Sequence, residues 1–81
     1  MVDDLHIGIG RRVEERRRTL RLTRERLASM TKPPMSGKYL WEIETGRKSL
    51  SADMLRRLAV ALEVTSDWLL DLPVTDIQNN V

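Results

Sequence analysis

Apolar residues recur along this chain at helical spacing in five places, with polar breaks between them. Leu5, Ile9 and Val13 stand four apart, and Leu20 continues the stripe. Arg17 occupies the position on that face where a further apolar residue would fall. Asp3 or Asp4 is placed to cap this first helix, while Gly8 and Gly10 weaken its opening turns. A second pattern opens at Thr23, an N-cap residue type with Glu25 in the turn that follows, and sends Leu27, Ala28 and Met30 inward. It stops by Thr31 or Lys32, because Pro33 and Pro34 each push the preceding residue away from helical angles. Ser36 opens a third helix, with Leu40 and Ile43 on one face. Ser51 caps a fourth, reaching Leu62, whose inward residues are Met54, Leu55, Leu58, Ala59 and Leu62. Thr65 or Ser66 caps a short fifth helix over 67–71, where Trp68 and Leu69 close the core and Pro73 ends the element. Helices of about two turns do not persist alone in water, so the chain is predicted to be all-α, a compact five-helix bundle.

The third helix has a polar side that this packing leaves over. At about 100° per residue, Ser36, Leu40, Ile43 and Glu44 point inward. Lys38, Glu42 and Thr45 lie near the outward centre, with Gly37, Tyr39 and Trp41 flanking. Arg17 should be partly buried on the first helix, and a buried guanidinium without a carboxylate is costly. The turn Thr45-Gly46-Arg47-Lys48-Ser49 supplies a glycine for a left-handed helix end and two cations.

Composition narrows the chemistry. With 81 residues and no cysteine, this is one small domain held by helix packing, without disulfides or thiolate metal sites. His6, the only histidine, cannot build a zinc or acid–base cluster and reads as a surface or helix-start residue. The Gly8-Ile9-Gly10 string lacks the preceding strand of a dinucleotide fingerprint, and Gly37-Lys38 lacks the flanking residues of a phosphate-binding loop. No catalytic residue, metal or cofactor is expected. No apolar run reaches about 18 residues, and the N-terminus lacks the regions of a signal peptide. The expectation is a cytoplasmic protein with no membrane partner. The net charge of +2 conceals an asymmetry: residues 1–48 hold 12 Lys/Arg against 7 Asp/Glu, residues 49–81 hold 2 against 5. A cationic first half, with eight arginines between 11 and 26, suits a polyanion.

The string Ile9-Gly10, Val13, Arg17, Leu22-Thr23, Leu27-Ala28, Met35-Ser36, Leu40, Ile43-Glu44, Gly46-Arg47 resembles the phage-repressor (Cro/cI, XRE) family of helix-turn-helix DNA-binding domains. The resemblance continues through Leu55, Leu58-Ala59, Leu62, Val64 and Asp67-Trp68-Leu69-Leu70. It implies a bundle of lambda-repressor type over residues 1–72 whose third helix enters the major groove of double-stranded DNA. Residues 73–81 form a short tail; Leu70, Leu72, Val74 and Ile77 are apolar enough to join a dimer contact, a frayed tail being the alternative. By the family match Gly37, Lys38 and Glu42 reach base edges, with Ser36, Tyr39 and Trp41 beside them. Tyr39 and Trp41 have packing against a neighbouring helix as their alternative. Thr23, Arg24, Thr45, Arg47 and Lys48 match positions that contact phosphates, and Arg17 pairs with Glu44. The chain departs from the family in its turn, two residues longer than the common pattern, with Pro33-Pro34 in place of a glycine. The implied function is a homodimeric transcription regulator, most simply a repressor or autoregulator, on a pseudo-palindromic operator. The alternative is a protein-interaction module, such as an antitoxin holding a toxin.

Overall fold

The computed structural model describes residues 4–72, which form helices α1 (Asp4–Thr19), α2 (Arg24–Met30), α3 (Gly37–Glu44), α4 (Ala52–Leu62) and α5 (Ser66–Leu70). The starts of α2, α3, α4 and α5 follow one chemical rule. Thr23, Ser36, Ser51 and Thr65 each stand in extended conformation and accept the amide of the residue three along, at 3.0, 3.0, 3.1 and 3.0 Å. Each such cap is worth about 1 kcal/mol. The end of α3 is a Schellman turn: Gly46 at φ +75 donates to Ile43 O, and Arg47 N donates to Glu42 O at 2.8 Å.

The core is Ile9, Val13, Leu27, Ala28, Leu40, Ile43, Leu58, Ala59, Leu62 and Leu69, with every helix contributing. Helix α1 runs against α3, α4 and α5, while α2 packs on α3 and α4. Gly10 is where α1 crosses closest: a Cβ there would overlap the Ile43 carbonyl oxygen and lie 2.9 Å from that of Glu44. Two arginines fasten the far end of the bundle. Arg12 Nε donates to Leu69 O at 2.6 Å and Arg16 Nε to Leu62 O at 2.9 Å. These cations meet carbonyls at the C-terminal ends of α5 and α4, where helix backbones leave acceptors and partial negative charge.

Several sequence expectations change. Met30 is only half-buried. Thr31, 1% exposed, takes the inward place because α2 stops at Met30 and the extended Thr31 turns its hydroxyl onto Ala28 O at 2.8 Å. Ser36 is exposed rather than inward, since a capping hydroxyl must stay at the mouth of its helix. Trp68 is 41% exposed and Leu69 alone of that pair closes the core. Leu5 is exposed as well. The fifth helix starts at Ser66, and Thr65 is its cap. Asp3, Pro73 and the tail 73–81 with its dimer role lie outside the described residues.

Candidate nucleic-acid interface

Helix α3 is buttressed from behind and open in front. Leu40, Ile43 and Glu44 are buried, whereas Lys38, Trp41 and Thr45 are exposed and Glu42 is half-exposed. Among the described residues no ion pair holds Lys38 or Glu42, so the i,i+4 pair that their spacing allows is not formed. Gly37 begins the helix beneath the Glu25 side chain, whose Oε2 would stand 3.2 Å from a Cβ at that position. Tyr39, expected on the flank, packs its side chain on the core. Trp41 remains 38% exposed, with the Arg47 guanidinium 5.1 Å from its ring centroid. That cation–π contact ties the outward aromatic to the turn after α3 and sets Arg47 beside the open face. Lys48 is exposed in the same turn, and Thr45, the C-cap, donates its hydroxyl proton to Trp41 O at 2.8 Å.

The buttress is ionic as well as apolar. Glu44 has a side chain 1% exposed and is gripped by two arginines. Arg17 donates from Nε to Oε2 at 2.7 Å and from Nη2 to Oε1 at 3.2 Å, a bidentate fork. Its Nη1 donates to Leu22 O at 2.8 Å, fixing the turn between α1 and α2. Arg24 Nε then donates to Glu44 Oε1 at 2.8 Å, and Arg24 Nη2 lies 3.8 Å from Glu14. The carboxylate thus ties α1 and α2 to the C-terminal end of α3. Arg24, expected as a phosphate contact, is half-buried in this network, while Thr23 is exposed and engaged as the α2 cap.

The arginines of the cationic first half divide their labour, and the apolar pattern places only Arg17 among them on the inner face. Arg12, Arg16, Arg17 and Arg24 are committed to internal acceptors, and Arg18 pairs with Glu14 at 3.0 Å. The four-residue step from Arg12 to Arg16 was the available signal, since it puts both on one stripe of α1. Among the described residues, no group of His, Asp and Glu is placed to hold a metal ion, and no helix is long and apolar enough to cross a membrane.

A family model for a helix-turn-helix domain matches residues 9–72. Among solved structures, the chain is similar to the restriction-modification controller protein C.AhdI from Aeromonas hydrophila. The two are 27% identical, the match covers 78% of this chain and 92% of that one, and the TM-score is 0.72. It is also similar to the clp gene regulator ClgR from C. glutamicum, 28% identical over 85% of this chain and 87% of that one, TM-score 0.77. A hypothetical transcription factor, NHTF from Neisseria, shares the fold at 20% identity, 100% and 93% coverage and TM-score 0.77. No curated protein sequence matches the chain.

Proposed function

Starting from a chain that belongs to the helix-turn-helix domain family, we propose that it is a sequence-specific DNA-binding transcription regulator acting as a homodimer. One observation carries this reading. Helix α3 has a buried apolar and ionic back and an exposed polar front, with Arg47 and Lys48 at its end. Such a rod fits the major groove of B-DNA, with the turn that follows it close to the phosphate backbone. The roles of C.AhdI as a restriction-modification controller protein and of ClgR as a clp gene regulator agree with it.

Each side chain has a stated task in this reading. Lys38 donates to the O6 and N7 acceptors of a guanine, and Glu42 accepts from a cytosine N4 amino group. Gly37 and Ser36, at the start of α3, let the backbone approach the bases closely. Trp41, steadied by Arg47, lies on a sugar or a thymine methyl, while Tyr39, two residues earlier, packs on the core and offers only its half-exposed edge. Thr23, Arg24, Thr45, Arg47 and Lys48 set register on the phosphates and carry no sequence information. Arg24 can approach a phosphate with its half-exposed end while Nε stays on Glu44. Occupancy of a promoter by such a dimer is sufficient for repression or autoregulation.

Selection of bound duplexes from a random pool tests the proposal. An inverted repeat with half-sites about one helical turn apart is the expected result. A pool that shows no enrichment over several rounds, at salt low enough to allow binding, would remove the regulator reading.

A further inference from the structure

We propose that the cleft between the C-terminal end of α2 and the outer face of α4 binds an acidic segment of a partner protein, one carrying an apolar side chain beside its carboxylate. The cleft has a volume of about 250 Å³ and is lined by Met30, Lys32, Arg56, Arg57 and Val60. Three cations and two apolar side chains from separate elements therefore face one space. None of its lining residues belongs to α3 or to the turn after it.

Three features say what fits. First, Arg57 Nε is buried and has no hydrogen-bond acceptor. That nitrogen is closed to water in this conformation, so a small outward turn of the Arg57 side chain is what would present it to a carboxylate oxygen, its strongest acceptor. Second, the local charge is unbalanced. Among the described residues Asp53 is the one acid paired with these arginines, at 3.0 Å to Arg56 and 2.7 Å to Arg57. The hydrogen bond from Arg56 holds the Asp53 carboxyl below its usual range. One carboxylate against Lys32, Arg56 and Arg57 leaves a surplus of two positive charges. Third, Val60 is 71% exposed, and Met30 offers a flexible apolar wall across from it.

Sites for drug-sized molecules run from about 300 to 1,000 Å³, and this cleft is of a size for one or two side chains of a larger partner. An aspartate or glutamate would enter toward Arg57, with a neighbouring leucine-sized residue against Met30 and Val60. Lys32 belongs to the long Lys32-Pro33-Pro34 turn by which this chain departs from the pattern it resembles. That turn is anchored through Met35 N to Ala28 O at 3.1 Å and through Thr31, which holds the Lys32 rim in place. Because the lining avoids α3, the segment and DNA are bound together without competing for one surface.

Panning a random-peptide display library against the full chain tests this site. Peptides pairing Asp or Glu with Leu, Ile or Phe are expected to enrich, and their binding to fall on the order of tenfold or more with the Arg57→Gln variant. Lys32→Glu with Arg56→Glu, both at exposed positions, should give a similar loss without touching the core. Enrichment that is absent, or that survives both variants, overturns the proposal. So does a change in the salt dependence of DNA binding in the Lys32→Glu and Arg56→Glu variant, which would assign those cations to phosphates. If random-pool DNA selection failed while acidic peptides still enriched, the cleft would stand without the regulator reading.

Discussion

Gly10 of α1 and Ile43 of α3 meet backbone to backbone, with no room at Gly10 for a side chain against the Ile43 carbonyl oxygen. That contact lets α1 lie along α3 at the depth where Ile9, Val13 and Ile43 share a core. It also sits next to Glu44, whose carbonyl oxygen is the second neighbour.

Gly10→Ala should therefore destabilise the fold even though alanine is the better helix former. Propensity favours the substitution by about 0.8–1.0 kcal/mol, while overpacking costs about 1–3 kcal/mol. The obstructing atoms are main-chain and cannot rotate aside, which puts the cost at the upper end and the net loss at about 2 kcal/mol. Gly8→Ala is the control: the nearest atoms to its Cβ would be side-chain ones, the far end of Arg12 at 3.2 Å, which can give by a few tenths of an ångström while Nε stays on Leu69 O. Urea unfolding of the two variants should move in opposite directions. A common direction would show that α1 does not press on α3 as described.

Glu44→Ala orphans Arg17 and loosens Arg24 together. Removing one partner of a buried pair costs about 3–5 kcal/mol, and a small domain has only about 5–15 kcal/mol in total. The variant should melt far below the parent or be partly unfolded at room temperature. Glu44→Gln keeps the shape and loses the charge, so it should fall between the two. Circular dichroism melts decide the matter, and an unshifted Tm for Glu44→Ala would contradict the buried fork.

Arg12→Ala and Arg16→Ala should each cost about 1 kcal/mol. Each removes a donor to a carbonyl at a helix C-terminus, and water can take over only part of the role. Hydrogen exchange distinguishes this from a general loss of charge. Protection should drop first in α5 for Arg12→Ala and at the end of α4 for Arg16→Ala, and uniform loss along the chain would count against the local tie.

The starts of α2 to α5 were legible in the sequence because each rests on one hydroxyl three residues before its amide, a local relation. The stripe that placed Arg17 on the inner face was also local. Its partner, Glu44, came through the family resemblance and lies 27 residues away. What escaped depends on where distant elements arrive. Gly10 looked like a weak helix former until α3 was seen to press on it. Arg12 and Arg16 count in the sequence only toward a cationic half suited to a polyanion, and it is the fold that brings the ends of α5 and α4 within their reach. Trp68 looked like core because it is large and apolar, yet the short α5 turns only Leu69 inward.

Lys38 and Arg47 offer the sharpest test of the interface, because the same face assigns them different tasks. Both are exposed, so replacing either by alanine should leave stability within about 0.5 kcal/mol, and changes in DNA affinity can be read directly. Lys38→Ala should cost about 1–3 kcal/mol on the selected site and relax discrimination at one base pair. Arg47→Ala should weaken all duplexes about equally and reduce the log–log salt slope by about 1, with some added loss because Trp41 is no longer steadied. Titrations of the selected duplex, its single-substitution series and random DNA at several salt concentrations separate the two patterns. Should Lys38→Ala weaken every duplex alike, Lys38 grips a phosphate and sequence reading passes to Glu42 and Trp41. Should neither variant change affinity, α3 is not in the groove, and the exposed front of this helix serves something other than DNA.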